Sequence, residues 1–127
     1  MSALSPRQMF LLDLACKPIT EAFGDGVYHV GTSAARQEYR DVDVRLMLSD
    51  KKFDRLEKAI GTKAVAFLGL AIGQYLASLT GLPIDFQVQR QTEANNYHGR
   101  KFRNPLGVRT LVNFKGDAPR TTESKEN

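Results

Sequence analysis

Residues 42–48, VDVRLML, constrain this chain more than any other stretch, because they alternate with a period of two. Val42, Val44, Leu46 and Leu48 fall on one side of an extended strand, while Asp41, Asp43 and Arg45 fall on the other. Four aliphatic side chains in that pattern anchor a strand in a core and leave both acids projecting together. Carboxylates held that close repel each other unless a cation sits between them. Hard cations such as Mg²⁺ take oxygen ligands from one or two carboxylates together with substrate phosphates. The stretch therefore specifies a buried strand and raises the question of phosphoryl chemistry.

The segments on either side supply the rest of a small fold. Upstream, Ser5-Pro6 reads as an N-cap followed by proline in the first helical turn, with Met9, Leu12 and Cys16 at helical spacing. That helix is expected to weaken at Lys17-Pro18, since the residue before proline avoids the helical region. Gly24-Asp25-Gly26 is a turn, residues 27–30 a first strand, and residues 31–40 a loop with a helical turn or two. Ser49-Asp50 caps a helix with Phe53, Leu56 and Ile60 on one face, broken at Gly61-Thr62.

Residues 63–80 are apolar nearly all round, which predicts a central and largely buried helix. Gly69 and Gly73 on it would permit close packing against a neighbour. A third strand over 84–88 sets Ile84, Phe86 and Val88 against Asp85, Gln87 and Gln89. Beyond Arg90, residues 91–107 read as an irregular basic segment and residues 108–114 as a short strand. The expected organisation is a single domain over 1–115 and a disordered tail over 116–127. The fold class is α/β (α+β), a small mixed sheet backed by helices with the acids gathered at one end.

Composition narrows the function only slightly. With 127 residues, 42% hydrophobic and 25% charged, the chain has the profile of a globular domain. One cysteine, Cys16, excludes an internal disulfide and fits a reducing cytoplasm; its expected role is a small buried helix residue. No apolar run is expected to reach the roughly 20 residues of a membrane span, and no membrane partner is expected. A net charge of +4 favours anionic partners, but the aromatics are not interleaved with basic residues as on a single-strand stacking platform. His29, alone in its strand, reads as a packing or surface residue before it reads as a ligand.

The ordered set Gly31-Thr32, Asp41-Val42-Asp43-Val44 and Ile84-Asp85-Phe86 resembles the nucleotidyltransferase superfamily typified by DNA polymerase beta, in particular its minimal single-domain members. The resemblance covers roughly residues 27–88 and takes in the first helix. It departs in having threonine at the usual serine, a short linker before the acids, and no second helical domain after the third acid.

That resemblance implies a minimal nucleotidyltransferase fold and Mg²⁺- or Mn²⁺-dependent transfer of a nucleoside monophosphate from a nucleoside triphosphate, such as ATP, to a hydroxyl acceptor. Asp41, Asp43 and Asp85 would be the catalytic, metal-binding acids, serving two ions. Gly31, Thr32 and Ser33 would hold phosphate, with Arg36 and Arg45 as nucleotide contacts. Arg36, like Arg40, also reads as a solvated charge. Arg45 either contacts triphosphate or pairs with the acids when metal is absent, and the latter would favour a non-catalytic descendant. The acceptor is a small molecule, a protein side chain or a nucleic-acid end. A separate helical protein or a second copy of the chain would stand in for the missing domain. The rival reading is a nucleotide- or nucleic-acid-binding module on the same fold, in which Arg45 and the cluster Arg100-Lys101-Phe102-Arg103 grip phosphates without turnover. A third reading leaves the acids as mere surface residues of a structural domain.

Overall fold

A computed structural model describes residues 4–31, 41–98 and 103–108. Among these lie four helices, α1 (Pro6–Phe23), α2 (Asp50–Ile60), α3 (Thr62–Thr80) and α4 (Gln91–His98). Four strands, β1 (Gly26–Val30), β2 (Val42–Leu48), β3 (Ile84–Arg90) and β4 (Arg103–Leu106), form one sheet in the order β3-β2-β1-β4. The pairs β1–β2 and β1–β4 are antiparallel, and β2–β3 is parallel. The architecture is thus the mixed sheet backed by helices that the alternation of strand and helix patterns predicts.

The aliphatic side of β2 is the centre of the molecule. Val42, Val44, Leu46 and Leu48 are all buried and pack with Val27 of β1, Phe86 of β3 and Leu106 of β4 against α1 and α3. The opposite face carries Tyr28, Val30 and Met47, which pack against Ala94 of α4. Because alternation sends Asp43 and Arg45 to this second face, the acids lie on the α4 side of the sheet, away from the main core.

Three expectations are corrected. Helix α1 runs straight through Pro18 to Phe23, where Gly24 ends it in the left-handed conformation at φ 71°. The carbonyl that loses its donor to Pro18 is that of Leu14, an exposed residue whose oxygen water can serve, while Cys16 and Ile19 bury the other face. Residues 91–98 and 103–106 form α4 and β4 where an irregular segment was expected; β4 tolerates Pro105 because it is an edge strand. The expected strand over 108–114 and the tail over 116–127 lie outside the described residues, apart from Val108, which follows β4.

The third correction concerns α3. Only Val65, Gly69, Gly73 and Leu76 are buried on it, whereas Phe67 is 68% and Leu70 67% exposed, with Leu79 and Tyr75 also exposed. Over 19 residues with a mean hydropathy of 1.3 it is, by length and composition, apolar enough to cross a membrane, contrary to the expectation that no run reaches that length. In this fold it lies on the sheet. An added Cβ at Gly69 would sit 3.2 Å from the Phe86 carbonyl oxygen, and one at Gly73 would sit 3.4 Å from the Phe86 Cβ. The two glycines bring the helix down onto β3, as their spacing suggested, and the opposite side of the helix faces outward.

At one end of the sheet the elements are tied by polar contacts. The buried Asp13 of α1 accepts a 2.6 Å hydrogen bond at Oδ1 from the Gly107 amide, just after β4. Gly107 has φ 74°, and a Cβ there would lie 2.7 Å from the Cys16 carbonyl oxygen. Beside it, Lys52 Nζ donates to the Phe23 carbonyl at 2.9 Å and Asp25 accepts from the Ser49 amide at 3.1 Å. The acids stand at the other end.

Candidate functional site

Strand register assembles the site. Val30 of β1, Asp43 of β2 and Asp85 of β3 are direct partners across three strands, and Arg103 of β4 is the partner of Val30. The next pairs on this face bring Tyr28 beside Arg45 and Arg45 beside Gln87. The starts of β2 and β3 are locked together by the Val42 amide, which donates to the Pro83 carbonyl at 2.7 Å. In a parallel pair so locked, Asp43 and Asp85 cannot avoid facing each other.

The electrostatics reflect that forced meeting. Burial pushes the Asp43 carboxyl above its ordinary range; Arg45 pulls it back, while the charges of Asp85 and Asp41 and a side-chain hydrogen bond with Asp85 push it further up. Asp41 lies just before β2, is exposed, and contributes through its charge. Arg45 sits between the two facing acids. Its Nη2 is 3.4 Å from Asp85 Oδ2 and 3.9 Å from Asp43 Oδ1, and its side chain is only 10% exposed. Among the described residues, Arg45 is paired with both facing acids.

Gly31 follows β1 with φ 80°, and a Cβ on it would lie 2.5 Å from Asp43 Oδ2. Its lack of a side chain is therefore required twice, by backbone conformation and by contact with a carboxylate. This leaves bare main chain against one oxygen of Asp43, a cradle that any side chain would fill.

The structure thus brings Gly31, Asp41, Asp43, Arg45 and Asp85 to one end of the sheet. Thr32, Ser33, Arg36 and Arg40 lie outside the described residues, as do Arg100, Lys101 and Phe102. His29 is fully buried on the core side, where burial pushes its pKa down to about 4, as a packing role requires. Burial pushes the Cys16 thiol up to about 12, so it stays protonated and unreactive.

Tyr28 is a neighbour of the site that the sequence reading did not name, and Arg103 is one that it named only within the cluster Arg100-Lys101-Phe102-Arg103. Tyr28 lies on the acids' face, and Arg103 places its guanidinium 5.9 Å from the Tyr28 ring centre while donating to the Ala94 carbonyl at 3.2 Å. The alternation of β1 already put Tyr28 and Val30 on the face opposite Val27. Recognising 103–106 as a strand would have added Arg103.

Oxygen-only donors, one of them with a raised proton affinity, suit a hard divalent cation better than a soft one. The donor chemistry therefore fits Mg²⁺ or Mn²⁺. Among the described residues, however, no group of three His, Cys, Asp or Glu side chains is arranged to hold a metal ion. The two facing carboxylates share their space with an arginine instead. No protein-family profile matches the chain, and neither the curated proteins nor the solved structures compared with it gave a match.

Proposed function

We propose that this chain is a nucleotidyltransferase dependent on Mg²⁺ or Mn²⁺, moving a nucleoside monophosphate from a nucleoside triphosphate to a hydroxyl acceptor in the cytoplasm. The observation that carries the reading is the direct pairing of Asp43 with Asp85 on parallel strands beside the bare backbone of Gly31. This agrees with the order of glycine, paired acids and third acid from which the family resemblance was drawn.

In that reaction the acceptor oxygen bonds to the α-phosphorus, the bond from that phosphorus to the bridging oxygen breaks, and pyrophosphate leaves. A bound divalent cation supplies charge neutralisation on the triphosphate. The remaining tasks belong to the chain. Asp43, with Asp41 near it, would hold the cation. Gly31 would let phosphate approach the main chain. Asp85, with a side chain 42% exposed, can reach a bound acceptor and take its hydroxyl proton. Arg45 draws the Asp43 carboxyl back toward its ordinary range, against burial and the charges of Asp85 and Asp41.

A second reading, a binding module without turnover, draws on the same Arg45: an arginine already paired with both acids lets the site stand without a metal. The two readings separate in one experiment. Each α-phosphate-labelled nucleoside triphosphate is incubated with the protein, Mg²⁺ or Mn²⁺, and cell extract as acceptor, beside an Asp41→Ala/Asp43→Ala control. Metal-dependent label that vanishes in the control supports the transferase and identifies the acceptor class. Nucleotide or nucleic-acid binding without transfer, unaltered by Asp43→Ala, supports the module.

A further inference from the structure

Between α2, α3 and β3 lies a groove of about 470 Å³, a size that suits a small organic molecule. Its apolar wall is made by Phe53 of α2, Val65 and Leu70 of α3 and Val88 of β3. Val65 is buried, whereas Leu70 is 67% exposed. Contiguous apolar surface left open to water in this way marks a docking place. Gly69 lies over Phe86, Gln87 and Val88, and Gly73 over Ile84 and Phe86, so α3 runs opposite to β3. The groove therefore has two distinct ends, one at the corner of Glu57 and Thr62 beyond Val88 and the other at Asp85.

The charge of this groove is one-sided. Its lining holds two acids, Glu57 and Asp85, and among the described residues no lysine, arginine or histidine, in a chain whose net charge is +4. Asp85 is already paired with Arg45. Glu57 stands one helical turn after Phe53 on the same side of α2, so its carboxylate continues directly from the apolar wall. Its Oε2 accepts from the Thr62 hydroxyl at 3.2 Å, and among the described residues no cation pairs with it. A carboxylate at the end of an apolar groove attracts a cationic ligand and repels an anionic one.

We infer that this groove binds an apolar small molecule carrying a primary amine, with the ammonium at Glu57 and the body along Phe53, Val65, Leu70 and Val88. A carboxylate that already accepts from one hydroxyl suits the compact ammonium better than a guanidinium, which asks for both oxygens at once. From Thr62 to Leu70 the helix rises roughly 12 Å, which sets the length of the body. The binding does not rest on the nucleotidyltransferase reading. On that reading the end of the ligand away from its amine lies at the Asp85 end of the groove, and a hydroxyl there makes the acceptor an apolar amino alcohol.

The test uses three fluorescent probes of similar length, each a dansyl group on a five-carbon chain. Dansylcadaverine ends in an amine, dansyl-ε-aminocaproate in a carboxylate, and dansylpentylamide carries no charge. Fluorescence titration gives each affinity, and amide chemical-shift changes place the bound probe on the chain. The amine is expected to bind about tenfold more tightly than the uncharged probe, and the carboxylate most weakly. Glu57→Gln is expected to abolish the preference for the amine and leave the uncharged probe's affinity in place. Leu70→Ala is expected to weaken all three several-fold. Circular dichroism checks that each variant is folded. An amine that binds no better than the other two, or a preference that survives Glu57→Gln, overturns the inference. So do shifts centred away from α2, α3 and β3, or no binding of any probe at millimolar concentration. Each of these results leaves the transferase reading to the labelled-nucleotide experiment, which involves none of the probes.

Discussion

Helix α3 offers a sharp test of the fold, because leucines of one type stand on opposite sides of one helix. Leu76 is fully buried and Leu70 is 67% exposed. Truncating Leu76 to alanine removes buried methyl groups and leaves a cavity under the helix, at about 3 kcal/mol. Truncating Leu70 gives up only the third of its surface already removed from water, at most about 0.7 kcal/mol from a full burial worth about 2 kcal/mol. It leaves no cavity, and the better helix propensity of alanine returns a few tenths. The expected costs are therefore about 3 kcal/mol for Leu76→Ala and near zero for Leu70→Ala. Urea titration followed by circular dichroism measures both. With an m-value of about 2 kcal/mol/M, Leu76→Ala lowers the midpoint by about 1.5 M, while Leu70→Ala leaves it nearly in place. A Leu70→Ala variant as unstable as Leu76→Ala would mean that the outer side of α3 is packed, and would refute the reasoning.

The two α3 glycines should separate under the same substitution. At Gly69 an added Cβ presses on the Phe86 carbonyl of the strand backbone, which cannot yield, so Gly69→Ala is expected to destabilise despite alanine's helix propensity; at Gly73 the contact is ordinary, and Gly73→Ala is expected to be neutral or to gain up to about 1 kcal/mol, both read by thermal melting. His29, held near pKa 4 against 6.5 in the unfolded chain, contributes stability that is fully present above pH 6.5 and lost as pH falls toward 4, about 3 kcal/mol in all. Urea midpoints across that window should show a steeper acid loss for the wild type than for His29→Gln, and parallel profiles would contradict this. Since the Asp43 carboxyl is pushed up, its ionised form opposes folding at neutral pH. Asp43→Asn should raise the melting temperature of metal-free protein and abolish any further rise on adding Mg²⁺, and a lower metal-free melting temperature would contradict it.

How far the sequence could be read depended on whether a local pattern or a tertiary neighbour decided the outcome. The β2 alternation was decisive because one face had to be buried, and it put Asp43 and Arg45 on the other face before any partner strand was known. Its pairing with β3 is non-local, yet Val42 and Ile84 begin similar patterns, and the structure places them as partners. Pro18 misled because its effect on α1 depends on whether the orphaned carbonyl faces water. Apolarity misled at α3, since it records what a helix could bury and says nothing of how many neighbours are there to cover it. Arg45 was open between two roles in the sequence; only the carbonyls of Val44 and Asp85, fixed by the ladder, decide where its guanidinium rests. β4 was missed because a four-residue edge strand containing proline has almost no local signal.

The contact between Asp13 and Gly107 divides the sheet into ends with different freedom to vary. It fastens the close of β4 to α1 at the end where Phe23, Ser49 and Lys52 are also tied. The end of β1, the start of β2 and the start of β4 at Arg103 stand at the other end, beside the acids. Substitutions at the acid end therefore leave untouched the contacts that fasten α1, β4 and the start of α2 at the opposite end. A lineage built on this chain is free to vary the acid end of the sheet while Asp13 and Gly107 stay as they are.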